Sequence, residues 1–148
     1  MTGEGMRFLT RDFGEIEIET DQVISFRQPI FGFDSLQLYT MLRDPEAGED
    51  IVWLQSLESP ELCFILVSAR VLNGVYIPTL PNGTERLIGD GEYECWLIAV
   101  IKDDFTKSTI NLKSPVLINW KTGLGAQVIL DGDYPIRHPL MGEAEDTC

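Results

Sequence analysis

Hydrophobic alternation with a period of two is the feature of this sequence that most restricts its fold. Between residues 14 and 19, two isoleucines alternate with three glutamates. One face of that segment is therefore apolar and the other charged, which is typical of a half-buried strand. Residues 6–11 precede it, and the short turn 12–14 ends in a glycine, so the pattern predicts a β-hairpin. Residues 23–26 are predicted to form a third short strand.

Three runs in the middle of the chain are apolar on both faces. Residues 51–57, 62–68 and 95–101 are rich in β-branched and aromatic side chains and are bounded by turn residues. Strands that are covered on both faces belong at the centre of a sandwich or a barrel. Residues 116–119 and 126–130 complete the predicted set of strands.

Turn signals recur about every 8–12 residues, which is typical of an all-β fold. We therefore predict an all-β, antiparallel β-barrel-like fold of two packed sheets with one or two short helical turns. The candidates for those turns are residues 34–38, with Asp34 as the N-cap, and residues 68–72. The three tryptophans (Trp53, Trp96, Trp120) lie in or beside predicted strands and are expected in the core.

A chain of 148 residues is long enough for one domain and short for two. Residues 6–140 are predicted to form that single domain. Residues 1–5 and 141–148 are polar and are expected to be flexible tails.

The charge of the chain restricts its partners. It has 24 Asp and Glu against 11 Lys and Arg, a net charge of −13. Nucleic acid and anionic membranes repel such a surface, so a basic or neutral partner is favoured. The alternative is that the acidity serves only solubility. The charge is uneven, because acidic residues concentrate in the first hairpin and around Trp53, while all four lysines lie within residues 102–121.

The sequence gives no sign of export or of a membrane span. No apolar stretch approaches the length needed to cross a bilayer, and the first residues lack the pattern of a secretion signal. The three cysteines (Cys63, Cys95, Cys148) are widely spaced; the first two are expected in the core and the last as an exposed thiol. These features favour a cytoplasmic protein in a reducing compartment.

Catalytic and metal-binding motifs are absent from the sequence. The single histidine, His138, is expected to have a structural role in the last strand, and no Gly-x-Ser-x-Gly motif accompanies it. Asp131-Gly132-Asp133 starts like a calcium loop but lacks the later ligands. We therefore predict no catalytic, cofactor-binding or metal-binding residues.

The segment 29–34 is the most unusual part of the chain. It places Ile30, Phe31 and Phe33 in a loop next to proline and glycine. Either these side chains close one end of a barrel, or they are an apolar anchor for a partner protein, since aromatic residues are favoured at the centre of interfaces. The sequence leaves both alternatives open.

Five blocks of sequence follow one another in a distinctive order. They are Phe26-x-x-Pro29-Ile30-Phe31-Gly32-Phe33, Trp53-Leu54-Gln55-Ser56-Leu57-Glu58-Ser59-Pro60-Glu61-Leu62-x-Phe64, and residues 109–119, 125–130 and 134–138. From about Phe8 to Leu140 the chain thereby resembles the FliW family of flagellar assembly factors. It departs from the family pattern at Pro29 and Phe31, where glycine and proline are usual.

The resemblance implies a cytoplasmic β-barrel-like protein with no enzymatic activity and no cofactor. It also implies two partners: flagellin, and the small carbon-storage-regulator RNA-binding protein that represses flagellin translation. Family members capture the repressor when flagellin is secreted, and their antagonism is allosteric. We expect a monomer when unbound, with no direct contact to nucleic acid or membrane.

Two groups of residues are singled out as candidates. The partner-binding candidates are Ile30, Phe31, Phe33, Asp34, Glu15, Glu17, Glu19, Glu58 and Glu61. The structural motif residues are Trp53, Gln55, Pro60, Asn111, Pro115, Asn119, Gln127, Arg137 and His138.

Other functions remain open from the residues alone. One is a small β-barrel enzyme acting on a basic or sugar substrate, which requires a deep pocket with convergent acids. Another is an acidic protein-binding module of a different kind. A third is a nucleic-acid-binding barrel that uses the lysines of residues 102–121, although the remaining charge opposes it.

Overall fold

The computed structural model describes residues 5–72, 74 and 76–140. The predicted tails fall almost wholly outside this part of the chain, as does Cys148. None of the helices in the described residues is long and apolar enough to cross a membrane.

The described residues form eleven strands and little helix. The strands are β1 (Met6–Leu9), β2 (Glu15–Ile18), β3 (Ile24–Gln28), β4 (Leu38–Leu42), β5 (Ile51–Ser56), β6 (Cys63–Ser68), β7 (Glu94–Val100), β8 (Thr109–Ile110), β9 (Val116–Asn119), β10 (Leu124–Gln127) and β11 (His138–Pro139). The α-helix α1 (Thr84–Ile88) and four 3-10 helices (Thr20–Gln22, Pro45–Ala47, Ala69–Leu72, Phe105–Lys107) connect them.

Seven strands close into a barrel. The order β9-β10-β3-β4-β5-β6-β7 is completed by pairing of β7 with β9, so the barrel has no open edge at this point. All pairs are antiparallel except β10 with β3, which is parallel. Strands β8 and β11 extend the sheet from β7, and β1 and β2 form a separate hairpin. The predicted all-β barrel is therefore confirmed, with one closed sheet and one hairpin as its two sheets.

Apolar side chains fill the barrel. Phe26, Tyr39, Leu54 and Leu66 are completely or almost completely buried in one cluster, and Trp96 packs with them. Burying an aromatic or aliphatic side chain of this size stabilises a fold by roughly 1.5–3 kcal/mol. The apolar residues that alternate along the strands in the sequence thus form the interior of the barrel.

The first hairpin is confirmed. β1 pairs with β2 in a register that places Arg7 opposite Glu17 and Phe8 opposite Ile16. Gly14 has a φ of +67°, a conformation that glycine adopts without steric cost. The strands predicted at residues 23–26, 51–57, 62–68, 95–101 and 116–119 are also present, with ends displaced by at most two residues.

The predicted helical turn at residues 34–38 is wrong. Two tight turns replace it, in which Phe33 N donates to Ile30 O at 2.8 Å and Leu36 N to Phe33 O at 3.0 Å. The chain then enters β4, which pairs with β5 and buries Tyr39. Tertiary pairing of β4 overrides the local signal of Asp34, because the strand gains a hydrogen-bonded neighbour and a buried ring. The second predicted turn, at residues 68–72, is present as a 3-10 helix.

Two further expectations need correction. Trp120 follows β9 and is 42% exposed, so it lies at the surface and not in the core. The last predicted barrel strand begins earlier than expected, because β10 spans Leu124–Gln127 and the following residues continue alongside the Lys113–Pro115 segment without strand pairing. The sequence pattern did not predict helix α1, because five residues are too few to show a helical period.

Candidate functional site

The loop 29–34 divides its apolar residues between the core and the surface. Ile30 is 2% exposed and belongs to the core cluster of Phe26 and Tyr39. Phe33 is partly exposed, and its ring packs edge-on against Phe64 at a centroid distance of 5.3 Å. Phe31, in contrast, is 78% exposed. Only part of this segment therefore closes the barrel, and Phe31 is the side chain it presents to solvent.

A buried side chain holds the backbone of Phe31 in place. Gln127 Oε1 accepts a hydrogen bond from Phe31 N at 2.7 Å, and Gln127 Nε2 donates to Ser114 O at 3.1 Å. Gln127 itself is buried at the end of β10. A buried amide with both ends bonded is costly to move, since its polar atoms would lose their partners. The exposed ring is thus carried by a fixed loop.

Phe31 borders a shallow groove, which we call the Phe31 groove. A cavity of about 250 Å³ is lined by apolar side chains from three parts of the chain, with Asp34 and Gln28 among its polar residues. The apolar members are Pro29, Phe31, Pro81, Leu87, Val128 and Ile129. The Phe31 groove therefore combines an exposed aromatic ring with apolar walls and a carboxylate, an arrangement suited to a protein partner.

The second candidate surface is the hairpin formed by β1 and β2, which we call the acidic hairpin (residues 6–19). Glu15 and Glu17 point to solvent from β2, and Arg7 lies opposite Glu17 across the pair. In the turn, Arg11 and Asp12 form an ion pair at 2.8 Å. Because that pair is substantially exposed, its contribution to stability is small, and the hairpin retains an excess of negative charge.

The acidic hairpin is attached to the barrel wall at its turn. Gln55 Oε1 accepts from Arg11 N at 3.0 Å, and Arg11 Nη1 donates to Cys63 O at 3.0 Å. The ring of Phe13 packs edge-on against Trp53 at 5.5 Å. Gln55 is fully buried in β5, so it fixes the hairpin much as Gln127 fixes Phe31.

Of the remaining acidic candidates, Glu58 has structural partners through its side chain and Glu19 has one through its backbone. Glu58 Oε1 accepts from Gln37 N at 2.6 Å and Leu38 N at 3.0 Å, which fixes the entry to β4. Burial and the nearby charge of Glu58 raise the pKa of Tyr39 to about 12. Glu19 N donates to Gln22 Oε1 at 2.7 Å at the start of a 3-10 helix. Glu61 is exposed in the turn between β5 and β6.

The other motif residues hold turns and strand ends. Asn111 Oδ1 accepts from Lys113 N at 2.9 Å and Ser114 N at 3.1 Å, while Asn119 Oδ1 accepts from Lys121 N at 2.9 Å. Their side chains thus replace missing backbone partners in the turns that follow. Gln55 Nε2 donates a hydrogen bond to Pro60 O, and Pro115 is buried just before β9. Arg137 is exposed, and His138 lies in β11.

Burial makes the two described cysteines poor nucleophiles. It raises the pKa of Cys63 to about 11 and that of Cys95 to about 12. Thiols with such values carry almost no thiolate at neutral pH, and the thiolate is the reactive form. Within residues 5–72, 74 and 76–140, no group of three or more His, Cys, Asp or Glu is placed to hold a metal ion.

Comparison with known proteins identifies the family. The family model described as FliW protein matches residues 7–140. The chain belongs to the FliW family. It is 34% identical to the flagellar assembly factor FliW of Ruminiclostridium cellulolyticum, with 92% of this chain and 95% of the relative covered. It is also 34% identical to that of Thermoanaerobacter pseudethanolicus, with 96% and 97% covered.

A solved structure supports the family assignment through the fold. The crystal structure of the flagellar assembly factor FliW superimposes with a TM-score of 0.85 at 28% sequence identity, covering 93% of this chain and 99% of that one. The resemblance that the five sequence blocks indicated is therefore confirmed, as is the barrel.

The sequence prediction included Phe31 as a candidate, but it did not include the residues that line the other side of the Phe31 groove. Ile129 is exposed between the buried Val128 and Leu130, so the alternation along this segment already carried a signal for it. Pro81 and Leu87 gave no such signal, since they reach the groove only through the packing of α1 against β10.

Proposed function

We propose that this chain is a non-enzymatic, cytoplasmic flagellar assembly factor that binds flagellin and the carbon-storage-regulator RNA-binding repressor. By capturing the repressor when flagellin has been secreted, it couples flagellin secretion to flagellin translation. It acts as a monomer when unbound and contacts neither nucleic acid nor membrane directly. Membership of the FliW family supports this role.

The observation that carries the proposal is Phe31, an aromatic side chain that is 78% exposed on a loop fixed by Gln127. Burying such a ring at an interface contributes roughly 1.5–3 kcal/mol. Because the loop is already ordered, little conformational entropy is lost on binding. We assign the Phe31 groove to flagellin, whose docking then depends mainly on apolar contact.

We assign the acidic hairpin to the repressor. A protein that holds RNA is basic on its RNA-binding surface, and a strongly acidic partner is attracted to it. Docked beside that surface, the hairpin lowers the positive potential that RNA needs, so RNA affinity falls without direct overlap. This is an allosteric antagonism in the thermodynamic sense, since the binding of each ligand lowers the affinity of the repressor for the other.

The filled interior of the barrel supports a binding role over an enzymatic one. The cavities of about 680 and 470 Å³ in the described residues are clefts at the surface, and the barrel centre is occupied by Phe26, Tyr39, Leu54 and Leu66. A small barrel enzyme needs an enclosed pocket in which acids converge. We therefore keep the regulator as the single proposed function.

Titration calorimetry against purified flagellin and purified repressor tests the proposal. We expect a complex with each partner, and Phe31→Ala should weaken the flagellin complex at least about tenfold, as hot-spot truncations do. Ile77→Ala is the matched control, because Ile77 is 77% exposed and lies outside the groove. The absence of heat with both partners would overturn the function, whereas equal effects of the two variants would overturn only the groove assignment.

A further inference from the structure

One carboxylate near the β7–β9 seam holds two tryptophans. Glu94 Oε1 accepts a hydrogen bond from Trp96 Nε1 and another from Trp120 Nε1, each at 2.9 Å. Glu94 begins β7 and Trp120 follows β9, so the pairing of these two strands brings the indoles together. Both ring planes are therefore fixed by the same oxygen, and within the described residues no hydrogen bond is formed to Oε2 of Glu94.

The buried tryptophan of this pair already has a cation. The guanidinium carbon of Arg43 lies 6.0 Å from the centre of the Trp96 ring. Guanidinium groups are attracted to the face of an indole, and a carboxylate at its N–H strengthens the negative potential of the ring. The protein thus contains its own example of an arginine on an indole that is bonded to Glu94.

The second tryptophan has the same carboxylate but no cation from the described residues on its face. Trp120 is 42% exposed, whereas Trp96 is buried. A cavity of about 470 Å³ opens beside it and is also lined by Tyr93, Glu92 and Glu94. Tyr93 is itself half exposed, so the cavity offers two aromatic side chains and two carboxylates to solvent.

Lys121 also lines the cavity and partly offsets the two carboxylates. The lining therefore keeps an excess of one negative charge over positive. Lys121 is exposed, and a lysine ammonium on a flexible stem moves into water at little cost. A cationic ligand is thus favoured, although less than it would be without this lysine.

We propose that this cavity is a receptor site for an arginine side chain presented by a partner protein. Arginine fits better than lysine because its planar guanidinium stacks on an indole while its N–H groups donate to carboxylates in a fork. The site shares no residue with the Phe31 groove or the acidic hairpin, so it goes beyond the proposed function and does not depend on it.

The test is an NMR titration of the full chain that follows the indole N–H signals. The probe is the blocked tripeptide Gly-Arg-Gly, compared with Gly-Lys-Gly and with the neutral citrulline analogue. We expect a saturable shift of the Trp120 signal with a Kd in the millimolar range, at least about threefold weaker binding of lysine, and no response to citrulline. The Trp53 signal should not move, because Trp53 packs against Phe13 of the acidic hairpin and does not line this cavity.

Two outcomes of the titration would overturn the site. One is the lack of saturable movement of the Trp120 signal up to about 50 mM peptide, which is beyond the range of a specific contact of this size. The other is an equal response to the arginine and lysine peptides, which would show that only the net charge of the protein attracts them.

Charge-matched variants separate the cavity from the general acidity of the protein. Glu92→Gln should weaken arginine-peptide binding at least about threefold, whereas Glu17→Gln, which removes the same charge from the acidic hairpin, should leave it unchanged. Trp120→Leu should abolish saturation transfer from the protein to the arginine side chain of the peptide. Equal effects of the two glutamate variants would overturn the proposal even if Trp120→Leu failed to fold.

Discussion

The Phe31 groove and the acidic hairpin are attached to the barrel in the same way but expose opposite chemistry. In each case the side-chain oxygen of a buried glutamine accepts a hydrogen bond from the backbone N–H of a surface residue. Gln127 Oε1 lies 2.7 Å from Phe31 N, and Gln55 Oε1 lies 3.0 Å from Arg11 N. The groove then presents apolar side chains, and the hairpin presents glutamates. The barrel thus fixes where each surface lies, while the residues of the attached segment determine whether that surface is apolar or acidic.

This difference predicts how each surface responds to salt. Charges on an exposed hairpin are screened over about 8–10 Å at physiological ionic strength, whereas burial of an aromatic ring is almost insensitive to salt. Binding at the hairpin should therefore weaken with added salt, and binding at the Phe31 groove should not. The first of the following predictions tests that contrast, and the others test how the two surfaces and the barrel are held together.

Reversing the charge of the hairpin should have the largest effect. In Glu15→Lys/Glu17→Lys, the association rate with the repressor at low salt should fall about 10- to 100-fold, because electrostatic steering is lost. Stopped-flow measurements across a salt series should show the difference shrinking as salt rises. The affinity for flagellin should be unchanged, and Glu46→Lys/Glu85→Lys is the charge-matched control elsewhere on the surface. If the control slows association equally, net charge and not the hairpin is responsible.

Replacing the two buried glutamines should separate the two surfaces. Gln127→Leu leaves Phe31 N and Ser114 O without their partner, which destabilises the fold by roughly 1–3 kcal/mol and loosens the groove. We expect flagellin affinity to fall about three- to tenfold, with the repressor little affected. Gln55→Leu should show the reverse pattern. Calorimetry with both partners and denaturant unfolding provide the measurement, and parallel losses in both variants would contradict independent attachment.

Detachment of the hairpin should expose Cys63. Arg11 covers the strand that carries this thiol by donating to Cys63 O. In a Cys148→Ser background, Gln55→Leu should therefore raise the alkylation rate of Cys63 a few-fold by favouring local opening. The rate at Cys95 should stay constant and serves as the internal control. Mass spectrometry of the alkylated peptides measures both, and equal acceleration at the two sites would indicate general unfolding instead.

Alkaline pH should lower the free energy of unfolding, because the buried thiol and phenol groups ionise more easily in the unfolded chain. The folded pKa of Cys63 is raised from 9.0 to about 11, and that of Tyr39 from 10.0 to about 12. The unfolded chain loses each proton first, so the stabilisation is complete below the unfolded pKa and is lost as pH rises towards the folded one. Unfolding free energies should start to fall above pH 9 in the wild type. In Cys63→Ala the fall above pH 9 should become shallower but should not vanish, because the pKa of Cys95 is also raised from 9.0 to about 12. An unchanged slope would rule Cys63 out as a cause.

The sequence predicted the barrel strands well, because alternation and two-sided apolar runs report burial directly. It predicted the hairpin of residues 6–19 for the same reason. It failed at residues 34–38, where Asp34 suggested a helix cap but tight turns lead into β4, which pairs with β5. It also failed at Trp120: the end of β9 at Asn119 was predicted, but nothing local shows that the indole just beyond it lies at the surface.

The residues of the candidate surfaces were only partly visible in the sequence. The loop 29–34 was recognised as unusual, but the sequence left open whether its apolar residues close the barrel or face a partner. The structure assigns Ile30 to the core and Phe31 to solvent, because the loop after β3 packs Ile30 against the barrel cluster while Gln127 holds the backbone of Phe31 at the surface. Glu58 looked like a surface charge and instead holds the backbone of Gln37 and Leu38.

By itself, the sequence determined the all-β character, the negative charge and the resemblance to the FliW family, because these depend on composition, period and the order of local blocks. Only the tertiary structure decided which residues meet. Closure of the barrel through β7 and β9 places Trp96 and Trp120 on one oxygen of Glu94, and packing of α1 completes the Phe31 groove. Such contacts join residues far apart in the chain, and no local pattern records them.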